Sequence, residues 1–312
     1  MIRPILFALL LVFVANVGSA IASPLVDVAW LKNNPASQDR VLLDIRDRRS
    51  YAQAHIPGAV QTDYGTDGWR VTIRNVPGLL PTSGPAYKQL VRRIGQLGIG
   101  NSTHVILIAP GWSAGDMGMA TRLYWTFKVL GHDQVSILDG GMQAWLAAKK
   151  ADRRTPANPL KSGAQANAPQ TFVPTLRKEM LMDRKTVTAA RSSGQAALDA
   201  RPTPQYLGLQ KSGAVRVPGT LTGAHTLPGE WVTKNGGGQF RNPGALKKLL
   251  ATTGVKQDDD MFVFCNTGHW ASLTWFIASE LLGNKKVRMY DGSLADWTAQ
   301  KHAPLERKIK LN

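Results

Sequence analysis

The chain has 312 residues, 43% of them apolar, enough for two ordinary domains and too mixed for a fibrous or disordered protein. Lysine and arginine number 38 against 21 acids, a formal charge of +17 that draws small anions; the basic residues are scattered and match no nucleic-acid-binding pattern, so nucleic acid is excluded as the expected partner. A single cysteine, Cys265, excludes an internal disulfide, and with histidines scattered around the chain it leaves no metal-ligand spacing, so neither metal nor cofactor is expected.

Residues 1–22 have the pattern of a secretory signal. Arg3 makes the start positive, residues 5–14 are apolar but too few to span a bilayer comfortably, and Ala20-Ile21-Ala22 suits a signal peptidase. Cleavage after Ala22 would leave a charge of about +16 and a periplasmic or secreted protein with no stable membrane span. In an oxidising compartment an unpaired cysteine is a free reactive thiol or an intermolecular partner.

Residues 23–148 alternate strand and helix patterns. Val41-Leu42-Leu43-Asp44-Ile45-Arg46 is an apolar strand ending in charges, followed by a helical turn over 51–55 and the turn His55-Ile56-Pro57-Gly58-Ala59. A Gly-rich aromatic stretch, 63–70, is expected to be a long loop; 87–97 is a helix, 105–109 a buried strand, 110–118 a Gly-rich loop, 119–130 a helix and 135–138 a third strand. Residues 149–180 form a basic interdomain linker and lead-in, with 149–169 rich in Lys, Arg, Pro, Ala and Asn and without apolar period.

Residues 181–312 repeat the first half. Leu198-Asp199-Ala200-Arg201 with Tyr206 matches Leu43-Asp44-Ile45-Arg46 with Tyr51 at an offset of 155; Leu282-Gly283, Asp291-Gly292 and Trp297 match Leu130-Gly131, Asp139-Gly140 and Trp145 at an offset of 152. Two alternating copies predict an α/β protein of two mostly parallel sheets flanked by helices, with ligands at the carboxyl ends of strands. At the second offset Cys265 falls opposite Ser113, and the first copy holds no cysteine in any register.

Cys265 follows the apolar run Met261-Phe262-Val263-Phe264 and precedes a helix expected over 271–282. A strand-loop-helix turn aims backbone N–H groups and the positive end of the helix dipole into the loop, an environment that favours thiolate. Asn266, Thr267, Gly268 and His269 are too polar and flexible for a core, so the cysteine is expected to be a nucleophile rather than packing.

These residues resemble the tandem-domain rhodanese-like sulfurtransferases: the Asp-x-Arg strand end in both copies, His55-Ile56-Pro57-Gly58-Ala59, the cysteine loop, and Tyr290-Asp291-Gly292-Ser293 with Trp297. The resemblance implies two tandem rhodanese-like domains, the first inactive. It further implies a Cys265 persulfide that moves sulfur from a small anionic donor, thiosulfate or 3-mercaptopyruvate, to a thiol, cyanide or protein acceptor. The amides of 266–270 (Asn266, Thr267, Gly268, His269, Trp270) would cradle the sulfur. Asn266 and Thr267 depart from the basic residues that thiosulfate-preferring members carry after the cysteine, and Gln205 stands where members commonly place a substrate-binding arginine. Gln205, Arg216 and Arg70 across the cleft are therefore candidates for binding the donor, with Lys234, Arg241 and His269, and of the basic residues His269 is the best placed because it sits in the loop itself. Trp270 is expected to pack under its helix. Ala271, six residues after the cysteine, rules against a phosphate-clamping arginine. A non-catalytic sulfur or selenium carrier, or a scaffold of the same fold, is the alternative.

Overall fold

A computed structural model describes residues 22–147, 158–300 and 303–311. Residues 1–21, with most of the expected signal, and 148–157, the start of the expected linker, lie outside them.

The first copy runs β1 (Leu25–Val26), α1 (Val28–Asn33), β2 (Arg40–Asp44), α2 (Arg48–Gln53), β3 (Ala59–Gln61), β4 (Val71–Ile73), β5 (Val76–Leu79), α3 (Gly84–Gln96), β6 (His104–Ile108), α4 (Ala114–Val129), β7 (Val135–Leu138) and α5 (Gly141–Ala147). The second runs β8 (Leu181–Met182), α6 (Arg184–Ser192), β9 (Ala196–Asp199), α7 (Thr203–Tyr206), β10 (His225–Thr226), α8 (Pro243–Ala251), β11 (Met261–Phe264), α9 (His269–Phe276), β12 (Arg288–Tyr290) and α10 (Ser293–Trp297). Each copy folds into a five-stranded, all-parallel sheet, ordered β1-β7-β6-β2-β3 in one and β8-β12-β11-β9-β10 in the other, the same topology twice. The central strands read as continuous apolar runs because helices cover both faces.

The repetition extends to single bonds. Asp44 accepts from Arg46 Nε (2.9 Å) and its terminal nitrogen (2.6 Å), and that nitrogen also donates to the Ala54 carbonyl (2.7 Å). Asp199 and Arg201 repeat the pair at 2.9 and 2.6 Å, with Gly219 as the carbonyl at 2.7 Å. Both pairs are buried and hold the strand end to the following turn, a structural role.

Three sequence expectations change. The Gly-rich loop expected over 110–118 is helical from Ala114, where α4 begins, because Ser113 and Asp116 cap the helix there. Residues 63–70 are loop, but the chain continues into the antiparallel β4–β5 hairpin, turned by Arg74 (φ 51°) and Asn75 (φ 63°). The helix expected over 271–282 begins at His269 and ends in a π turn over Ile277–Leu281.

The two copies do not hang on a linker. α4 and α9, the equivalent helices, pack against each other; α4 buries residues all round its circumference, as a helix enclosed on every side must. One apolar cluster runs continuously from Leu43 and Leu107 through Leu123 and Phe127 to Leu273, Phe276 and Val263, and Cys265 belongs to it. Thr121 and Ser272 share a hydrogen bond of 2.8 Å across the contact, and Tyr124 packs edge-on to Phe276. Two reciprocal strap bonds complete it: Asp139 of the first copy accepts from the Phe240 amide (2.9 Å), and its counterpart Asp291 accepts from the Leu80 amide (2.8 Å).

Candidate active site

Strand pairing aligns the cysteine. Asp44 is in register with Ile108 and Asp199 with Phe264; the next carbonyls, of Ala109 and Cys265, accept from the Met142 and Leu294 amides at 2.8 and 3.1 Å. The counterpart of Cys265 is therefore Ala109. The match to Ser113 fails because the segment from strand end to helix end is shorter in the second copy, so the offset of 152 measured beyond it does not hold at the loop. Ser113 instead caps α4, as Gly268 caps α9.

Cys265 is free and fully buried. Its amide donates to Ser293 Oγ (3.0 Å), and that hydroxyl lies 3.9 Å from the sulfur while donating to the Tyr290 carbonyl (2.8 Å). Ser293 is a non-glycine residue at φ 49°, in the position that Gly141 fills at φ 55° in the first copy. A side chain held in the left-handed region costs free energy, and such outliers gather at functional sites. Here the extra group is the hydroxyl beneath the cysteine.

Among the described residues, no protein acceptor faces the amides of Asn266, Thr267, Gly268 and His269. The first copy shows what such a loop does with its amides. There the Asp116 carboxylate, one turn into α4, accepts from the Trp112 amide at 2.8 Å and the Ser113 amide at 3.2 Å. One loop carries its own anion; the other keeps the donors and lacks the carboxylate, with alanine at 271.

Gly268 (φ 77°) joins this loop to α9, and a Cβ there would lie 2.3 Å from an Arg122 nitrogen and 2.9 Å from Asp291. Arg122, fully buried in α4, pairs with Asp291 at 2.5 Å, donates to the Gly268 carbonyl (3.3 Å) and stacks over Trp125. From the same side Arg70 donates to the Thr267 carbonyl and hydroxyl, both at 3.0 Å, to Tyr64 Oη (3.1 Å) and to the Gly78 carbonyl (3.3 Å).

His269 and Trp270 face the first copy. His269 Nε2 lies 3.0 Å from the Gly115 carbonyl, which can only accept, so Nε2 carries the proton and Nδ1 accepts from Tyr64 Oη at 2.8 Å. Burial, then the neighbouring Arg70, hold the imidazole down at about 4. It is neutral, occupied at both nitrogens and not an anion ligand. The Trp270 ring packs against Gly115 and Gly229.

Gln205 Oε1 accepts from Asn266 Nδ2 (2.8 Å), so Gln205 braces the loop, while Asn266 Oδ1 is buried with no partner among the described residues. Arg216 is exposed and anchored by its own amide to Thr298 Oγ1; Arg241 donates to the Trp231 carbonyl, and Lys234 is exposed. Among the described residues no contact ties these three to the cysteine loop. Sequence reasoning missed Tyr64, Arg122 and Ser293 as parts of the site. Arg122 had one signal, being the only charge between Asp116 and Lys128 in an otherwise apolar run.

The rhodanese-like domain matches residues 27–148 and again residues 179–300. The chain belongs to the rhodanese-like family. Across 90% of its length it is 29% identical to a thiosulfate sulfurtransferase of Corynebacterium glutamicum, covering 90% of that protein, and 27% identical to the sulfur carrier protein TtuD of Thermus thermophilus, covering 95%. In fold this rhodanese-like pair superposes on the anaerobic ergothioneine biosynthesis enzyme of Chlorobium limicola with a TM-score of 0.72 at 20% identity, over 92% of this chain and 71% of that one. No helix of the described residues is long and apolar enough to cross a membrane.

Proposed function

We propose that this rhodanese-like protein is a sulfurtransferase whose Cys265 takes the outer sulfur of thiosulfate, or the sulfur of 3-mercaptopyruvate by breaking its carbon–sulfur bond with pyruvate enolate leaving, and passes it to a thiophilic acceptor. The observation that carries the reading is the contrast between two equivalent loops: one has its amides filled by Asp116, the other has open amides beside the only cysteine. With thiosulfate, the Cys265 thiolate forms a bond to the outer sulfur, the sulfur–sulfur bond of the donor breaks, and sulfite leaves with the electron pair. The persulfide's negative outer sulfur then lies among N–H groups that need no reorganisation to stabilise it. A thiol, cyanide or protein nucleophile attacks that sulfur and returns the Cys265 thiolate.

The sulfur is enclosed, and the loop beside it is held by Asn266 on Gln205 and Thr267 on Arg70. A protein that loads sulfur and releases it only to a docked partner would show the same site, and the name of the Thermus relative supports keeping that reading. Intact mass after donor treatment, with steady-state formation of thiocyanate from thiosulfate and cyanide and of pyruvate from 3-mercaptopyruvate, separates them. The expected result is one added sulfur on the wild type, none on Cys265→Ser, and turnover lower by about three orders of magnitude or more in the variant. An adduct without turnover would identify the carrier; neither adduct nor turnover would end the sulfur-transfer reading.

A further inference from the structure

We infer that Arg70, from the cysteine-free first copy, supplies the positive charge that binds the anionic donor at the Cys265 loop of the second. This rests on the reading of Cys265 as the sulfur-accepting nucleophile. The guanidinium is partly buried, and all four of its acceptors are neutral: the carbonyls of Gly78 and Thr267 and the hydroxyls of Tyr64 and Thr267. Among the described residues no carboxylate pairs with it, whereas Arg46, Arg122 and Arg201 each have an aspartate within 2.6 Å. A guanidinium withdrawn from water without a counter-charge is unfavourable, and an arriving oxyanion would relieve that.

Its position suits the role. Arg70 bonds to the loop residue two places after the cysteine, and the open amides begin between them. Gly78 keeps the slot open: at φ 84°, a Cβ there would stand 2.4 Å from the guanidinium and 2.9 Å from the Thr267 carbonyl. Tyr64 fixes the fork from the other side, with its hydroxyl on Arg70 and its ring beneath it. Gln205 brings no charge, and Arg216, Lys234 and Arg241 are spent elsewhere or face solvent. The ligand is a small sulfur donor bearing a sulfonate or carboxylate, which a guanidinium fork binds in two-point fashion.

The test is charge discrimination at Cys265 in the full chain. Alkylation by iodoacetate and by iodoacetamide differs in charge and hardly in size, so the ratio of their rates reports a local cation. Arg70→Gln is expected to lower that ratio about tenfold and to raise the KM for thiosulfate and for 3-mercaptopyruvate by a similar factor, with Arg70→Lys recovering much of the ratio, which reports charge, and less of the KM, which needs the two-point fork. A larger rise for one donor names the one whose anionic group the fork holds. Equal slowing by both reagents with unchanged KM would make Arg70 a structural strut and overturn the inference. Should Arg70→Gln fail to fold, the wild type decides: an iodoacetate preference no higher than that of free cysteine, together with no protection of Cys265 from iodoacetamide by sulfate, overturns it. A ratio that depends on Arg70 in a protein that never forms persulfide would keep the anion site and discard the sulfur-transfer reading.

Discussion

His269 illustrates how a residue placed correctly in sequence can still be assigned the wrong work. Its position in the cysteine loop was legible; its direction was not, because only the packing of α4 on α9 turns the ring toward Gly115 and Tyr64. The same burial gives it a thermodynamic signature. In the unfolded chain the imidazole would titrate near 6.5, whereas in the fold it stays neutral down to about 4. Between those values the unfolded chain binds the extra proton, so stability falls as pH drops from 6.5 toward 4 and is insensitive to this group above about pH 7. His104, also lowered to about 4 by burial, and His132, lowered by burial, act in the same direction. Thermal melts between pH 7 and 4.5 should show a falling midpoint, and His269→Gln, whose amide can serve both Tyr64 and Gly115, should make the fall shallower. A slope unchanged by that variant would assign the acid sensitivity to the other two histidines.

At the scale of elements, the strand ends and the cysteine were readable because each is a local event: an apolar run stopped by Asp-x-Arg, or stopped by cysteine and a polar loop. The β4–β5 hairpin was not, since Arg74-Asn75 lacks the glycine that usually marks a turn with two left-handed residues. Nor was the pairing of Cys265 with Ala109, which needs the inter-strand register rather than a constant offset. The loop-to-helix junction is where these local pieces meet, and two residues there make opposite predictions. Gly268→Ala forces a Cβ into Arg122 and Asp291 at φ 77°, so it should destabilise the protein by roughly 2 kcal/mol or more and disturb the loop amides. Ser293→Gly relaxes a left-handed serine but removes the hydroxyl that accepts from the Cys265 amide, so it should cost under about 1 kcal/mol of stability while slowing sulfur loading. Denaturant midpoints beside single-turnover loading rates check both. A Ser293→Gly protein that loads at the wild-type rate would reduce that residue to a structural prop.

For the whole molecule, duplication was visible from two offsets, and a pair of sheets followed from it. What the offsets could not show is how the copies join, because α4 and α9 present apolar and small residues all round, a pattern that says buried without saying against what. The answer is each other, and the consequence is that the cysteine loop is finished by residues of the copy that has no cysteine: Arg70 on Thr267, Arg122 on Gly268 and Asp291, and the Leu80 amide on Asp291. Domains joined by a linker and a polar contact move and melt separately. Here one apolar cluster passes through both copies, so neither sheet can lose its inner face without exposing the other's. Calorimetry should therefore give one transition, with calorimetric and van't Hoff enthalpies in agreement. Phe276→Ala, which removes a fully buried ring facing Tyr124 and Phe240, should lower that single transition by roughly 3–5 kcal/mol rather than split it. Two resolved transitions in the wild type, or a variant that melts one copy while the other persists, would show that the shared core does not couple them, and the site would then be assembled only when two separately stable domains happen to be docked.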